Sequence, residues 1–272
     1  IFGYTIIQTQ RHLDMLSAKS VFYNPWQYRI LSPILVESLH LLLKNTFYLI
    51  TTPEDPYLWT FRIFRFFQGL IILSLMRVYL NKVLQHPIWT FTGVLLASIA
   101  MGNATCASDY SFNTYSDIIF YLLAALVILE NKNEWLLLPI SIAAAFNRET
   151  GILIPILATY RWIRFKPFRI YDPNYTWPIL SSGVFFVIIF IGLRWFYGMP
   201  EAEVVGIAPG PEALKFNLTD LRTYLELFSV ILIYPILSLA GLKNSKDYLI
   251  WWFFIIVPIW FIIHYYQAAV RE

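Results

Sequence analysis

"AAAFNRETGILIP", residues 143–155, sets Asn147, Arg148 and Glu149 in the middle of an otherwise apolar run. The chain around it is far from an ordinary soluble domain. Of its 272 residues 58% are hydrophobic and only 14% are charged, and its mean hydropathy is +0.58, well above the soluble norm. Aromatics make up 18% and gather at the ends of apolar runs, as in "IWWFFIIVPIWFIIHYY" at 250–266. Membrane proteins place such belts at the level of the headgroups. Composition therefore predicts an all-α, polytopic helical membrane protein. In that setting a charge at bilayer depth costs roughly 3 kcal/mol, so residues 147–149 need a structural reason.

A full crossing takes about 20 apolar residues. Candidate spans are the tail of a first one in "IFGYTII", then roughly 30–50, 57–80, 88–102, 116–130, 135–164, 177–197, 222–242 and 248–266. No long-period repeat or linker interrupts them, so residues 1–272 read as one transmembrane domain. The chain begins without Met inside an apolar segment and ends at "AAVRE", which reads as part of a slightly longer protein.

Sidedness comes from the distribution of Lys and Arg, which favour short cytoplasmic loops. "YRWIRFKPFR" carries Arg161, Arg164, Lys166 and Arg169, and "GLKNSKD" carries Lys243 and Lys246; both read as cytoplasmic. The stretch 198–221 holds Glu201, Glu203, Glu212 and Asp220 against Lys215 alone, and reads as outside. "GNATCASDYSFNTYSD" has no basic residue and two acids, Asp109 and Asp117, and also reads as outside. Span 116–130 then returns the chain to the cytoplasm at "ENKNE".

Segment 135–164 is thereby required to start and finish on the same side. Each arm of about 13 residues rises roughly 20 Å, short of the roughly 30 Å hydrocarbon core. The expectation is a re-entrant pair of half-helices meeting at "NRETG", with Gly151 easing the turn. Broken helices at membrane depth occur where they pack in protein or line a wet cavity, which puts Arg148 and Glu149 at the floor of a cavity open to the outside. The alternative is one long tilted helix with an internal Arg–Glu pair.

The remaining charged positions are individually ambiguous. Asp14 follows the first span, as a cap, a solvated loop acid or a functional carboxylate. Arg29 lies in "YRILSP", where Pro33 suits a helix's first turn; it either snorkels to the interface or serves a site. Arg62 and Arg65, three apart on one helical face, either anchor the interface or face an anionic headgroup. Asp117 suits the N-terminus of the following helix. Taken together, Asp14, Arg29, Arg62, Arg65, Asp109, Asp117, Arg148 and Glu149 are all placed by topology at or just below the outer surface. Arginine forks bind phosphate oxygens and a carboxylate acts as general base toward a hydroxyl, so the set suits chemistry on a lipid phosphate.

Other chemistries find no footing. A net charge of +3 is too small and scattered for nucleic acid. Cys106 is alone, and the four histidines lack ligand-like spacing; no metal or cofactor is expected, and His264 reads as a hydrogen-bonded interior residue.

An acid just after the first span, a Pro-containing helix followed by an Arg-led span, an acidic second outer loop and an "NRETG-x-L-x-x-P" break before a basic loop together resemble the GT-C superfamily of polytopic membrane glycosyltransferases. "YRILSPIL" with "FNRETGILIP" is similar to its small bacterial members. The resemblance implies a GT-C-like bundle in the bacterial cytoplasmic (inner) membrane, and inverting transfer of a sugar from a polyprenyl-phosphate donor on the outer face. It implies Asp14 as catalytic base, with Arg148 and Arg62 holding the donor phosphate. Two features depart from the pattern: "RHLDML" offers Asp14 without the second acid common in the family, and no stretch suits a soluble acceptor domain. Both departures fit a non-catalytic subunit that kept the fold inside a larger energy-converting or photosynthetic membrane complex. A transporter using the half-helix break as its binding site is a third reading. Membrane lipids are the expected surroundings in every case.

Overall fold

The computed structural model describes residues 2–17, 28–46, 57–107, 112–130, 133–165, 173–198 and 210–219. The expected spans 222–242 and 248–266, together with Asp109 and His264, lie outside the described residues. Every described element is helical. The chain divides into two units, Ile1–Glu201 and Ala202–Glu272, and the described part of the second holds one helix, α9 (Pro211–Thr219).

The first unit contains α1 (Phe2–Ser17), α2 (Leu31–Thr46), α3 (Leu58–Leu84), α4 (Pro87–Ala107), α5 (Phe112–Leu129), α6 (Leu137–Asn147), α7 (Leu153–Phe165) and α8 (Pro173–Tyr197). Among the described residues, three stretches of helix are long and apolar enough to cross a membrane: Leu58–Leu84, Phe112–Leu129 and Thr176–Tyr197. The first and third keep only 11% of their most apolar window buried, against 61% for the second. Helices α3 and α8 thus turn most of their surface outward, and α5 is the central element. This is the outward-apolar pattern expected of helices whose solvent is lipid.

Local chemistry sets the boundaries. Gln85 ends α3 in the left-handed conformation (φ 51°) and its N–H bonds the Asn81 carbonyl, an αL helix stop. Pro87, whose missing N–H is harmless at a first helical position, then opens α4 after a two-residue turn. At the same end of α3, Lys82 pairs with Glu130 at 2.6 Å and ties the C-terminal ends of α3 and α5. Between them, Val36, Tyr57, Phe61 and Phe112 form one packed cluster, and Ile72, Tyr115 and Leu122 form another.

Helix α6 packs chiefly on α8 and α5, and its sequence explains how closely. Ser141, Ala144 and Ala145 are buried, and on α8 Ser182 is fully buried. Small residues let helices approach where burial from water supplies no driving force and van der Waals contact must do so.

The expected break is present. Helix α6 stops at Asn147, Arg148 is extended (φ −163°, ψ 148°), Glu149–Ile152 form a 3-10 turn, and α7 starts at Leu153. A Cβ at Gly151 would lie 2.7 Å from the Ala144 Cβ and 3.1 Å from its carbonyl carbon. Seven residues of continuous helix rise about 10 Å, so the chain has turned back on itself here. The single long tilted helix is therefore excluded. Gly151 serves the turn through space: its backbone is not left-handed, and what it supplies is room against Ala144 and Phe186.

Candidate functional site

The break sends three consecutive residues in different directions. Asn147 is fully buried; its side-chain amide donates to the Asp117 carboxylate at 2.6 Å and to the Asn113 carbonyl at 2.7 Å, and its oxygen accepts from Ser32 at 3.1 Å. Arg148 turns along α5, donating to the Thr114 hydroxyl at 3.1 Å and lying 3.8 Å from Asp117. Glu149 points to the start of α2 and pairs with Arg29 at 2.7 Å. Thr150 completes the set, donating to the second Asp117 oxygen at 2.9 Å, while its carbonyl accepts from Tyr121.

Asp117 is the hub. Helix α5 begins at Phe112, about a turn earlier than expected, so Asp117 lies in its second turn and is not a cap. It is only 4% exposed, and the Asn147, Thr150 and Arg148 side chains answer its two oxygens. Around it, Gln68 donates to Ser116 at 2.9 Å and to the Phe112 carbonyl at 3.0 Å, binding α3 into the same network.

Arg29 does not snorkel. It is 5% exposed, and burial lowers its guanidinium from the ordinary arginine value, while Glu149 pulls the other way and Arg148 adds to the lowering. Just before it, the Tyr28 hydroxyl donates to the Gly198 carbonyl at 2.8 Å, and the Arg194 guanidinium lies 4.5 Å from the Tyr28 ring centroid. The end of α8 therefore holds the residues that enter α2, and with them Arg29. Glu149 is near enough for its charge to act on Arg194.

Of the residues singled out from sequence, the fold brings Arg29, Arg148, Glu149 and Asp117 together. Asp14 lies in the last turn of α1 instead of a loop, half-exposed, accepting from Gln10 at 2.9 Å. Arg62 and Arg65 part company: Arg62 is exposed beside the Trp59 ring, and Arg65 lies over the face of Tyr115. No described contact joins Asp14, Arg62 or Arg65 to the break. The Arg–Glu contact also differs from the internal pair considered above, since Glu149 chooses Arg29 and Arg148 faces Asp117.

Sequence reasoning missed a second polar cluster. His12 Nε2 lies 3.1 Å from Glu37 Oε2, the same oxygen accepts from the Tyr57 hydroxyl at 2.9 Å, and His40 stacks on Tyr57 with centroids 4.1 Å apart while its Nδ1 meets Thr60 at 3.1 Å. The signal was legible in "LVESLHLLL": two polar residues at i and i+3 in an apolar helix share a face. Among the described residues no three His, Cys, Asp or Glu side chains are placed so as to hold a metal ion.

Among the described residues at the break, three arginines (Arg29, Arg148, Arg194) stand against two carboxylates (Asp117, Glu149), a surplus of one positive charge. Arg148 is 28% exposed at its side chain and its Nε has no partner among the described residues. The arrangement can hold an anion, and it presents a partly open cation to do so. No protein-family model, curated protein or solved structure matches this chain.

Proposed function

We propose that the chain is a membrane glycosyltransferase of GT-C type, moving a sugar from a polyprenyl-phosphate donor to an acceptor at the outer face of a bacterial cytoplasmic membrane. The observation that carries this reading is the cationic surplus at the helix break. A fold dominated by apolar helices assembles an ionic network around a broken helix, keeps it in protein, and leaves Arg148 partly open. Charged groups in apolar helices are expensive and mark sites that handle charged substrates.

In the reaction the acceptor oxygen attacks the anomeric carbon as the bond from that carbon to the donor phosphate breaks. The acceptor proton passes to a carboxylate, and the lipid phosphate leaves carrying the negative charge. Arg148 meets that charge, which grows in the transition state, where a placed cation is most effective. Asp14 is the proposed base: its carboxylate is half-exposed and so within reach of a hydroxyl. Glu149 and Asp117 are committed to Arg29, Asn147 and Thr150, and their role is to hold the arginines in place.

The test is transfer of labelled sugar from polyprenyl-phosphate donors by protein in lipid vesicles. Asp14→Asn removes the base and keeps the shape, and is expected to lower the rate by about a hundredfold or more. Full activity of that variant removes Asp14 from the mechanism, and absence of transfer by wild type across a broad donor panel rejects the enzymatic reading.

A second reading has its own observation. The outward apolar faces of α3 and α8 suit packing against other subunits as well as lipid, as in a non-catalytic member of a larger membrane complex. Gentle solubilisation distinguishes the two: a discrete heteromeric assembly without transfer activity selects the subunit.

A further inference from the structure

The face of α8 that leads up to Arg194 also walls an apolar cleft. The cleft has a volume of about 560 Å³ and runs between α7 and α8, with Ile152, Pro155 and Ile156 on one side and Ile179, Gly183 and Val187 on the other. Its upper end, at Ile152, is the last residue of the 3-10 turn that begins at Glu149. Along α8 it extends from Thr176 to Ile188, about 18 Å at helical rise.

Arg194 continues that face. Seven residues make nearly two helical turns, so Arg194 stands in line with Val187, and helical side chains lean toward the N-terminus, here toward the cleft. Its position agrees: the guanidinium sits 3.4 Å from the Phe190 ring centroid and donates to the Phe190 carbonyl at 3.4 Å, one turn back along the helix. Two aromatic faces, Phe190 and Tyr28, hold it. It has no carboxylate partner among the described residues, whereas Arg29 pairs with Glu149 and Arg148 lies against Asp117. A cation cradled by rings rather than by an acid keeps its charge available to an anion.

We infer that this cleft is the seat of a single-chain lipid phosphate, with the hydrocarbon chain between α7 and α8 and the phosphate on Arg194. The inference deepens the proposed transfer reaction and rests on it for the identity of the lipid as a polyprenyl phosphate. The form of the cleft suits one chain: it is apolar along its length, and Arg194 stands beyond one end. A diacyl phospholipid would place one tail in the cleft and leave the second outside it. Gly183 sets the width, since a Cβ there meets only Pro155 at 3.8 Å and anything larger projects into the space the chain would fill.

The experiment is retention of labelled polyprenyl phosphate by the protein in phosphatidylcholine nanodiscs, with competition by unlabelled polyprenyl phosphate or by phosphatidic acid. Arg194→Ala removes the charge and Gly183→Leu fills the cleft. Each is expected to weaken retention by about tenfold or more, from the loss of a charged contact and of chain burial respectively, and phosphatidic acid is expected to compete poorly. Because Gly183→Leu leaves Arg194 in place, a short-chain prenyl phosphate that does not reach Gly183 should bind that variant as it binds wild type, which separates a filled cleft from a misfolded protein. Wild-type retention by both variants, or equal competition by phosphatidic acid, overturns the inference. The two claims fail separately: retention that depends on Arg194 and Gly183 without sugar transfer from any donor sinks the reaction and keeps the lipid seat, and transfer that ignores both substitutions does the reverse.

Discussion

At the break, Asp117, Arg148, Glu149 and Arg29 meet around Asn147; between α1, α2 and α3, the side chains of His12, Glu37, His40 and Tyr57 meet on unbroken helices. Both are buried and polar, yet they are assembled differently. Glu37 and His40 share a face simply because they are three apart in α2. Asn147, Arg148 and Glu149 are consecutive, and in a continuous helix they would spread over 200° with no common neighbourhood. The extended Arg148 redirects them, so that Asn147 and Arg148 reach α5 while Asn147 and Glu149 reach the start of α2. The break cluster consequently holds fixed charges with several partners each. The helical cluster holds groups that can exist neutral, and its one carboxylate, Glu37, is 26% exposed.

The difference predicts unequal costs of removal. Asp117→Ala takes away the acceptor of Asn147 and Thr150 and the neighbour of Arg148 at once, leaving buried donors unanswered. A loss of about 3 kcal/mol or more is expected, read by reversible unfolding in mixed micelles. His40→Ala removes one hydrogen bond and one stacking contact, and about 1–2 kcal/mol is expected. Equal losses would show that the break is no more tightly networked than the helices beside it.

A second comparison uses glycine. Gly151→Ala sets a Cβ 2.7 Å from the Ala144 Cβ and 3.1 Å from its backbone carbonyl carbon, and backbone does not yield cheaply, so about 1–3 kcal/mol is expected. Gly183→Ala, in ordinary contact with Pro155 at 3.8 Å, should be neutral or stabilise by up to about 1 kcal/mol, because alanine is the better helix former. If the two substitutions behave alike, the close approach at the break is not what holds the turn.

How far the sequence discloses this arrangement depends on the kind of signal. The break was legible because charge, topology and arm length all demanded it, and "NRETG" marks its position to the residue. That α3, α5 and α8 are long and apolar enough to cross a membrane was legible from hydropathy. The pairing inside the site was not, since Glu149 has two arginines within reach, Arg148 beside it and Arg29 across the bundle, and only the turn's geometry decides. Asp117 was placed a turn too near the helix start, because polar "SFNTY" hides the true beginning of α5 at Phe112. Arg194 was unreadable as a site residue: its neighbour Tyr28 is 166 positions away, and an arginine near a helix end ordinarily reads as an interface anchor.

The smallest expected effect concerns pH and belongs to the helical cluster. Burial is the main cause that lowers His12 below its ordinary value, with Glu37 opposing and His40 adding to the lowering; Tyr57 closes the remaining side through its ring. A histidine lowered in the folded state binds fewer protons there than in the unfolded chain near pH 6. Its contribution to stability is therefore complete above about pH 6.5 and is lost as pH falls from there through the folded value. Between pH 7 and pH 6 a single such group can change stability by at most about 0.7 kcal/mol. The difference between wild type and His12→Gln reads this residue together with its coupling to His40. Wild type should lose stability relative to the variant as the pH drops below 6.5, in mixed-micelle unfolding at pH 7.0, 6.5, 6.0 and 5.5. A gain on acidification would mean that Glu37 outweighs burial and that protonated His12 is the form this cluster favours, which would make both clusters ionic and erase the distinction between them.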